Sequence, residues 1–423
     1  MSKFLLGAAT AAHQVEGNNI HSDSWAMEHI PHSSYAEPSG DACDHYHRYE
    51  ADIRLMAEAG LNAYRFSLEW ARIEPVEGQF DEGEIEHYRS VIRCCREHGL
   101  EPVVTLHHFS SPAWLMAQGG WEAETTPAAF EKYVRYVARR LGGELSYICT
   151  INEANIGVEI AAIARRYAAQ MQSADQGIQL GVNLEEMLAN QRAAAAETRA
   201  ALGTEHPAAF TSLRSEASDA IVTRAHELAR NALRELCPHV KVGLTLSLHD
   251  IQAVPNGETL AQKEWEDEFT HYLPHIADDD FLGVQNYTRS VIGSGGSLPV
   301  PEGAELTQMG YEFYPEGLEH VLRRVAGEFK GELLVTENGI ATSDDSRRIA
   351  FIDTALLGVR RCISDGLPVK GYFYWSLLDN FEWQKGYAMT FGLVAVDRAT
   401  QRRMSKPSLR YLGQTGQNLL EKG

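Results

Sequence analysis

The chain has 423 residues, of which 44% are hydrophobic and 23% charged, a balance that excludes a disordered or fibrous protein and favours one with a sizeable core. Its 38 basic and 58 acidic residues give a formal net charge of −20, so nucleic acids and anionic membranes are poor partners. The six cysteines show no CxxC spacing, which favours reduced thiols in a cytoplasmic protein.

The N-terminal stretch FLLGAATAAHQVEG has the apolar and small residues of a secretory signal. Its apolar part is short, however, and runs into Gln14 and Glu16 with only Lys3 as a basic residue before it, which disfavours a signal peptide. No window of the sequence approaches the roughly 18 consecutive apolar residues of a membrane span. We therefore expect a soluble, cytoplasmic protein.

Short runs rich in apolar, β-branched and aromatic residues recur along the whole chain and predict eight strands: FLLGAATAA, NAYRFSLEW, EPVVTLHH, SYICTINE, VKVGLTLSL, FLGVQNYT, ELLVTENG and VKGYFYWSLL. Helical patterns fill most of the gaps and predict helices at residues 46–59, 84–98, 130–141, 184–202 and 217–236. This alternation predicts an α/β protein, a (β/α)8 TIM barrel with expanded βα loops. No linker or repeat divides the chain, so a single domain over 1–423 is expected.

Polar residues stand where the predicted strands end, and two of them are the carboxylates Glu153 in TINE and Glu337 in VTENG. A buried carboxylate is unfavourable unless it is paired or protonated, and strand ends of a barrel face one pocket. Each could form a structural ion pair with an arginine such as Arg65. Two carboxylates converging on a cavity are also what glycosidic cleavage requires, so the pattern favours a barrel hydrolase.

Six motifs carry a family resemblance: HQVEG, YRFSLEWARIEP, TLHHFSSPAWL, TINE, VTENG and YWSLLDNFEW. In this order, spread over residues 13–383, they resemble the family 1 glycoside hydrolases, the β-glucosidase group. The resemblance implies a retaining β-glycosidase, foremost a β-glucosidase acting on terminal non-reducing β-D-glucosyl residues, with galactosyl or fucosyl residues also accepted. A small-molecule β-glycoside or oligosaccharide is the implied substrate, and neither a cofactor nor a metal is expected.

The resemblance also assigns the carboxylates, with Glu153 as general acid and base and Glu337 as nucleophile. Like-charge repulsion from an ionised Glu337 is expected to raise the pKa of Glu153 until the sugar esterifies Glu337. Arg65 and Tyr287 match family positions that keep the nucleophile ionised and oriented. Asn152 matches the residue that binds the sugar 2-hydroxyl.

Further sugar contacts are implied in the same way. The positions that match hydrogen-bonding residues for the non-reducing sugar are Gln14, His108, Glu382 and Trp383. Trp375 matches a stacking platform, although a large aromatic residue at that place is also consistent with barrel core. The carboxylate of Glu382 would repel a phosphate, so 6-phosphoglycosides are not expected as substrates.

The sequence departs from the family pattern at four places: Ala154 for the usual Pro, Gln285 for Asn, Phe109 for Trp and Thr390 for Arg. None removes catalytic chemistry, but they leave the fine sugar preference and leaving-group binding open.

Two other functions compete with a glycosidase. One is a metal-dependent barrel hydrolase, which is suggested by the histidines His45, His47, His107 and His108. These histidines do not form a clear set of three or four converging ligands. A non-catalytic sugar-binding barrel is the other alternative, although both carboxylates are present. Transglycosylation would use the same residues, and either a monomer or a homodimer is expected.

Overall fold

A computed structural model describes residues 4–162 and 184–421. Eight parallel strands close into a barrel in which each strand pairs with the next along the chain and the last pairs with the first, so the predicted (β/α)8 barrel is confirmed. Every predicted strand run contains one of them. They are β1 Leu5–Ala9, β2 Ala63–Ser67, β3 Glu101–Thr105, β4 Tyr147–Cys149, β5 Lys241–Ser247, β6 Phe281–Gln285, β7 Glu332–Asn338 and β8 Val369–Trp375.

The barrel closes where the first strand pairs with the last. Leu5 lies opposite Gly371, and the register continues to Ala9 opposite Trp375. A register shift interrupts the pairing of β7 with β6 between Val335 and Glu337. Such an irregularity re-aims the side chain that follows it, and here it falls at the end of β7.

Helices occupy the connections as predicted, with ends that differ by a few residues. The helix expected at 130–141 begins already at Thr126, because Pro127 is well suited to a first turn. The helices are Ala12–Val15, Asp23–Glu28, His45–Ala59, Trp70–Ile73, Glu82–Glu97, Ala113–Ala117, Thr126–Leu141, Leu184–Leu202, Glu216–Leu236, Glu258–Glu268, Leu273–Ile276, Gly317–Glu328, Asp345–Ser364 and Pro407–Glu421. Residues 156–162 are also helical.

Smaller strands lie in the long βα connections outside the barrel. Asp250–Ala253, Arg289–Gly293 and Gly296–Ser297 form a three-stranded sheet, and Val394–Asp397 pairs with Arg402–Ser405. They flank the carboxyl ends of β5, β6 and β8. The expected long βα loops are therefore partly built from regular structure.

The core has two parts. One lies between the strands and the surrounding helices, and the other fills the barrel with side chains that include Leu5, Val103, Phe281, Phe373 and Trp375. All six cysteines lie in the described residues, and each is buried and free. Among the helices that the structure describes, none combines the length and apolar character needed to cross a bilayer.

Candidate active site

The carboxylate of Glu337 lies at the end of β7 between a guanidinium and a phenol. Arg65 in β2 donates from Nη1 to Glu337 Oε1 at 2.6 Å, and the Tyr287 hydroxyl donates to Oε2 at 2.6 Å. The Arg65 side chain is 0% exposed, so its charge acts with little solvent screening. The two oxygens of Glu337 are thus held in one orientation.

Asn152, just after β4, is fixed by three donors that meet at its side-chain oxygen. Oδ1 accepts from Arg65 Nη2 at 2.5 Å, from Gln285 Nε2 at 2.8 Å and from Thr245 Oγ1 at 3.3 Å. This leaves the amide nitrogen 3.3 Å from Nε2 of His108. Asn152 therefore presents a donor toward the site.

Glu153 follows in an unusual backbone conformation, with φ at 42° in the left-handed region. Its own N–H donates to Thr245 Oγ1 at 2.9 Å, and the next N–H, of Ala154, donates to the Thr245 carbonyl at 3.0 Å. A proline at 154 has no N–H and could not form the second bond. In this chain, hydrogen bonding to β5 holds the turn at Ala154.

Burial and charge perturb both carboxyl groups. Burial raises the pKa of Glu153 well above its usual range, and the charge of Glu337 raises it further, against the opposing charge of Arg65. The expected direction is confirmed, but burial rather than repulsion is the larger cause. Burial also raises the pKa of Glu337, but the charge of Arg65 and the Tyr287 hydrogen bond oppose it. Glu153 is thus the carboxyl group that holds a proton more readily.

The polar groups expected to read the sugar gather on one side. Gln14 lies in the short helix after β1, and its Nε2 donates to the Phe381 carbonyl at 2.7 Å and to Glu382 Oε2 at 3.3 Å. Burial raises the pKa of Glu382 to about 8, and the charge of Glu337 adds to this. The protonation of Glu382 therefore depends on the charge of Glu337 as well as on its own burial.

Aromatic rings line the same side. The ring of His108 is parallel to Trp375, with centroids 5.6 Å apart and 16° between the planes, and lies 6.5 Å from Trp383. Trp375 is only 4% exposed and belongs to the apolar cluster inside the barrel. Phe109, one of the departures from the family pattern, packs against Trp383 at 5.2 Å.

Several buried polar atoms here have no partner within the described parts of the chain: Gln14 Oε1, His108 Nδ1 and Gln285 Oε1. The two amide oxygens are acceptors, whereas His108 Nδ1 is a donor because Nε2 of the same ring accepts from Asn152. Unsatisfied buried polar atoms are unfavourable in an empty site, and the hydroxyls of a ligand can both donate and accept. A polyol is therefore well suited to this site.

The histidines considered as metal ligands are engaged elsewhere. His45 bonds Asp52 at 2.8 Å, and His107 Nε2 is 3.0 Å from Ser111 Oγ. Within residues 4–162 and 184–421, one group has potential ligand atoms within 4.8 Å of one another: Glu159, His249 and Glu268. It contains none of those histidines.

Two residues near the carboxylates were not singled out from sequence. Thr245 bonds both Asn152 and the Glu153 backbone, and its signal was a polar residue on the inner face of the apolar strand β5. Tyr311 lies in a loop without a motif, where burial raises its pKa well above the usual range and the charges of Glu382 and Glu153 add to the shift.

The sequence matches the family model described as glycosyl hydrolase family 1 over residues 1–418. A β-glucosidase of Agrobacterium sp. (strain ATCC 21400) is 31% identical, with 96% of this chain and 93% of the relative covered. A bifunctional β-D-glucosidase/β-D-fucosidase of Bifidobacterium breve is 28% identical over 96% of both chains.

A solved structure with the same fold is that of the β-glycosidase BGL167. It superposes with a TM-score of 0.87 and 44% sequence identity, covering 98% of this chain and 96% of the other.

Proposed function

Since this chain belongs to glycosyl hydrolase family 1, we propose that it is a retaining β-glucosidase that hydrolyses terminal non-reducing β-D-glucosyl residues through a covalent glycosyl-enzyme. The observation that carries the proposal is the buried carboxylate of Glu337, held by Arg65 and Tyr287 beside a second buried carboxyl group, Glu153. Relatives named β-glucosidases match along nearly the whole chain.

We propose Glu337 as the nucleophile. Attack on the anomeric carbon requires an ionised carboxylate with a fixed direction, and the cation and hydroxyl on its two oxygens favour that state. When the ester forms, the charge of Glu337 disappears. Arg65 remains bound to Asn152, so the site keeps its shape through the intermediate.

Glu153 is proposed as the general acid and base. Its raised pKa keeps a proton available for the leaving oxygen in the first step. Glu153 gives this proton to the leaving group, and esterification of Glu337 removes one of the charges that raise its pKa. Glu153 therefore stays ionised and can accept a proton from the attacking water. The same group therefore serves both steps in turn.

Glucose recognition is assigned to Gln14, His108, Asn152, Glu382 and Trp383, with Trp375 as the apolar floor. The unpartnered atoms on Gln14 and His108 support this, because sugar hydroxyls would complete their hydrogen bonding. Fucosyl and galactosyl substrates differ from glucosyl at few hydroxyls, and a bifunctional relative is named for glucosidase and fucosidase activity. Discrimination among the three sugars is expected to be modest.

The exclusion of 6-phosphoglycosides also remains a prediction. A pKa of about 8 leaves Glu382 mostly protonated at neutral pH in the empty site, so repulsion of phosphate is weaker there than a full charge would give. The repulsion grows as the pH rises above that value. Activity toward a 6-phosphoglucoside and toward the unphosphorylated glucoside, each measured at neutral pH and at a pH above the pKa of Glu382, tests this prediction.

The alternative functions are not favoured by the comparisons, which match glycosidases throughout. A metal-dependent hydrolase would lose activity on incubation with EDTA, whereas the carboxylate mechanism predicts full activity. A sugar-binding barrel would bind glucosides without turning them over.

We further propose a cytoplasmic enzyme whose single glycosidase domain spans the chain, which the match over residues 1–418 supports. We expect a monomer or a homodimer, and analytical ultracentrifugation would measure which of the two is present in solution.

The decisive experiment is mass analysis after incubation with an activated 2-deoxy-2-fluoro-β-glucoside. The fluorine slows breakdown of a covalent glycosyl-enzyme because it disfavours the oxocarbenium-like transition state. One sugar per chain, mapped to the peptide containing Glu337, is expected. The matched control is Glu337→Gln, which keeps the shape of the side chain and is expected to remain unlabelled.

Two results would contradict the assignment. If the wild-type protein hydrolyses ordinary aryl β-glucosides but takes up no label, Glu337 is not the nucleophile. If it shows neither label nor turnover with glucosides, galactosides and fucosides, the catalytic proposal itself fails.

A further inference from the structure

A buried ion pair lies next to the residues assigned to the sugar. His13 Nε2 is 2.6 Å from Glu28 Oε1, and both side chains are 0% exposed. The other oxygen of Glu28 accepts from the backbone N–H of Ser39 at 2.8 Å and from its hydroxyl at 2.6 Å. The carboxylate is thus anchored on both sides, and His13 has one well-defined direction.

The imidazole of His13 is stacked on an indole of the proposed sugar site. The ring of Trp383 lies parallel to it, with centroids 5.5 Å apart and 7° between the planes. Trp383 has φ at 47°, in the left-handed region that is unfavourable for a non-glycine residue, so its position needs support from neighbours. His13 provides a flat, immobile surface for it.

His13 also neighbours the polar part of the site along the chain. It precedes Gln14, whose amide bonds the Phe381 carbonyl and Glu382, and its ring meets the edge of Phe381 at 6.0 Å. Phe381, Glu382 and Trp383 form one continuous segment. A shift of the His13 ring would therefore affect both Phe381 and Trp383, the residues on either side of Glu382.

Glu28 favours the protonated form of His13, and a positive charge on the ring strengthens the stacking. Burial acts to lower the pKa of His13, but the hydrogen bond and charge of Glu28 outweigh it, so the pKa is raised. The charges of Glu69 and Asp23, on neighbouring elements, raise the pKa of His13 further. An imidazolium beside the face of an indole is a favourable cation–π contact.

Asn19 is compatible with this charged state. Its side-chain nitrogen is placed 3.1 Å from His13 Nδ1, and its oxygen has no partner in the described part of the chain. Rotation of the side-chain amide by about 180° exchanges the positions of its nitrogen and oxygen. With the amide reversed, the oxygen accepts from the second N–H of the imidazolium, and both groups are satisfied.

We propose that His13, held by Glu28, is a positioning residue that fixes the indole of Trp383 and thereby sets selectivity for sugars carrying the 6-hydroxymethyl group. The inference rests on the proposed function, because it concerns the sugar end of that site. His13 touches no reacting atom. Its effect is expected in substrate binding more than in the chemical step.

The test compares two histidines that both bond a buried carboxylate. His13→Gln removes the ring yet can still donate to Glu28 and accept from Asn19, and His45→Gln makes the same change at the pair with Asp52, 2.8 Å apart. Each variant is assayed with 4-nitrophenyl β-glucoside and 4-nitrophenyl β-xyloside, which lacks the hydroxymethyl group. The measured quantity is the ratio of kcat/KM for the two substrates.

For His13→Gln we expect the glucoside-to-xyloside ratio to fall roughly tenfold, chiefly through KM for the glucoside. For His45→Gln the ratio should equal that of the wild type, even if thermal stability falls. Equal ratios in both variants would overturn the proposal, because a merely structural histidine lowers stability without changing selectivity.

A second variant covers the case in which His13→Gln does not fold. Glu28→Gln keeps the ring and a hydrogen-bond acceptor but removes the charge, and it should lower the ratio by a few-fold. An unchanged ratio there would show that the ion pair does not act on Trp383. Wild-type turnover separates this result from failure of the proposed function, since without turnover of either substrate the glycosidase assignment fails first.

Discussion

Buried carboxylates at the two ends of the barrel have different hydrogen-bonding and charge environments. Asp279, just before β6, is saturated, because its Oδ1 accepts from Arg230 at 2.8 Å and His226 at 3.1 Å, and its Oδ2 accepts from the backbone of Leu244 at 3.1 Å. At the opposite end, Glu337 shares its surroundings with further carboxyl groups.

The difference lies in the balance of charge. The pKa values of Glu337, Glu153 and Glu382 are all raised by burial, and the charge of Arg65 opposes this shift for Glu337 and Glu153. Asp279 instead has a guanidinium and an imidazole for one carboxylate. A saturated cluster stabilises the fold, whereas a cluster short of positive charge stores unfavourable energy that a reaction can use. Variants at each end should separate these two effects.

The largest change in turnover is expected from Glu337→Gln. Loss of the proposed nucleophile should reduce kcat on aryl β-glucosides by at least on the order of 10⁴-fold, while the unfolding midpoint remains close to wild type. Steady-state kinetics and thermal unfolding measure the two quantities. Retention of more than a tenth of the activity would remove Glu337 from the chemical step.

Glu153→Gln should cost less, and its cost should depend on the leaving group. Removing the acid is expected to slow poorly activated glucosides by about 10²- to 10⁴-fold but to spare the first step for 2,4-dinitrophenyl glucoside. Because a raised pKa keeps wild-type Glu153 protonated until the pH reaches that pKa, wild-type activity should fall on the alkaline side. This alkaline decline should vanish in the variant, and equal losses on both substrates would contradict the acid role.

Glu382→Ala should have a smaller effect that is confined to sugar recognition. We expect kcat/KM for glucosides to fall about tenfold to a hundredfold, with a much weaker loss for xylosides, because a carboxyl group that reads hydroxyls has been removed. Kinetics on the two substrates with one leaving group measure the effect. An unchanged preference would place Glu382 outside the sugar site.

Asp279→Ala should barely change turnover. It leaves Arg230 and His226 buried without their carboxylate, so the free energy of unfolding should drop by about 3 to 5 kcal/mol. Denaturant titration measures the loss, and kcat per folded molecule serves as the control. A large loss of kcat with normal stability would contradict the assignment of Asp279 to stability rather than to turnover.

Most of the fold could be predicted because its signals are local. Alternating strand and helix patterns gave eight strands within the expected runs, and the helix Leu184–Leu202 has the predicted bounds. Helix starts were less accurate. Asp81 caps the helix Glu82–Glu97 with its side chain, four residues before the first apolar residue of the pattern, Ile85, so the predicted start at residue 84 was two residues late.

The candidate site could be predicted as a set of residues but not as a network. Arg65, Asn152 and Glu337 were singled out by motif, yet the convergence of Arg65 on both of the others depends on the barrel's register. The irregularity before Glu337 has no sequence signal. Nor does the pair of His13 and Glu28, because two polar residues on neighbouring short helices say nothing about burial until the fold is known.

The closure of the barrel between β1 and β8 has a consequence for synthesis. Gln14 follows the first strand and bonds Glu382, which follows the last, so the proposed sugar site joins the first-made and the last-made parts of the barrel. A nascent chain can form helices and strand pairs as it leaves the ribosome, but it cannot bind substrate before β8 has emerged. Activity should therefore appear only after the last strand of the barrel has been made.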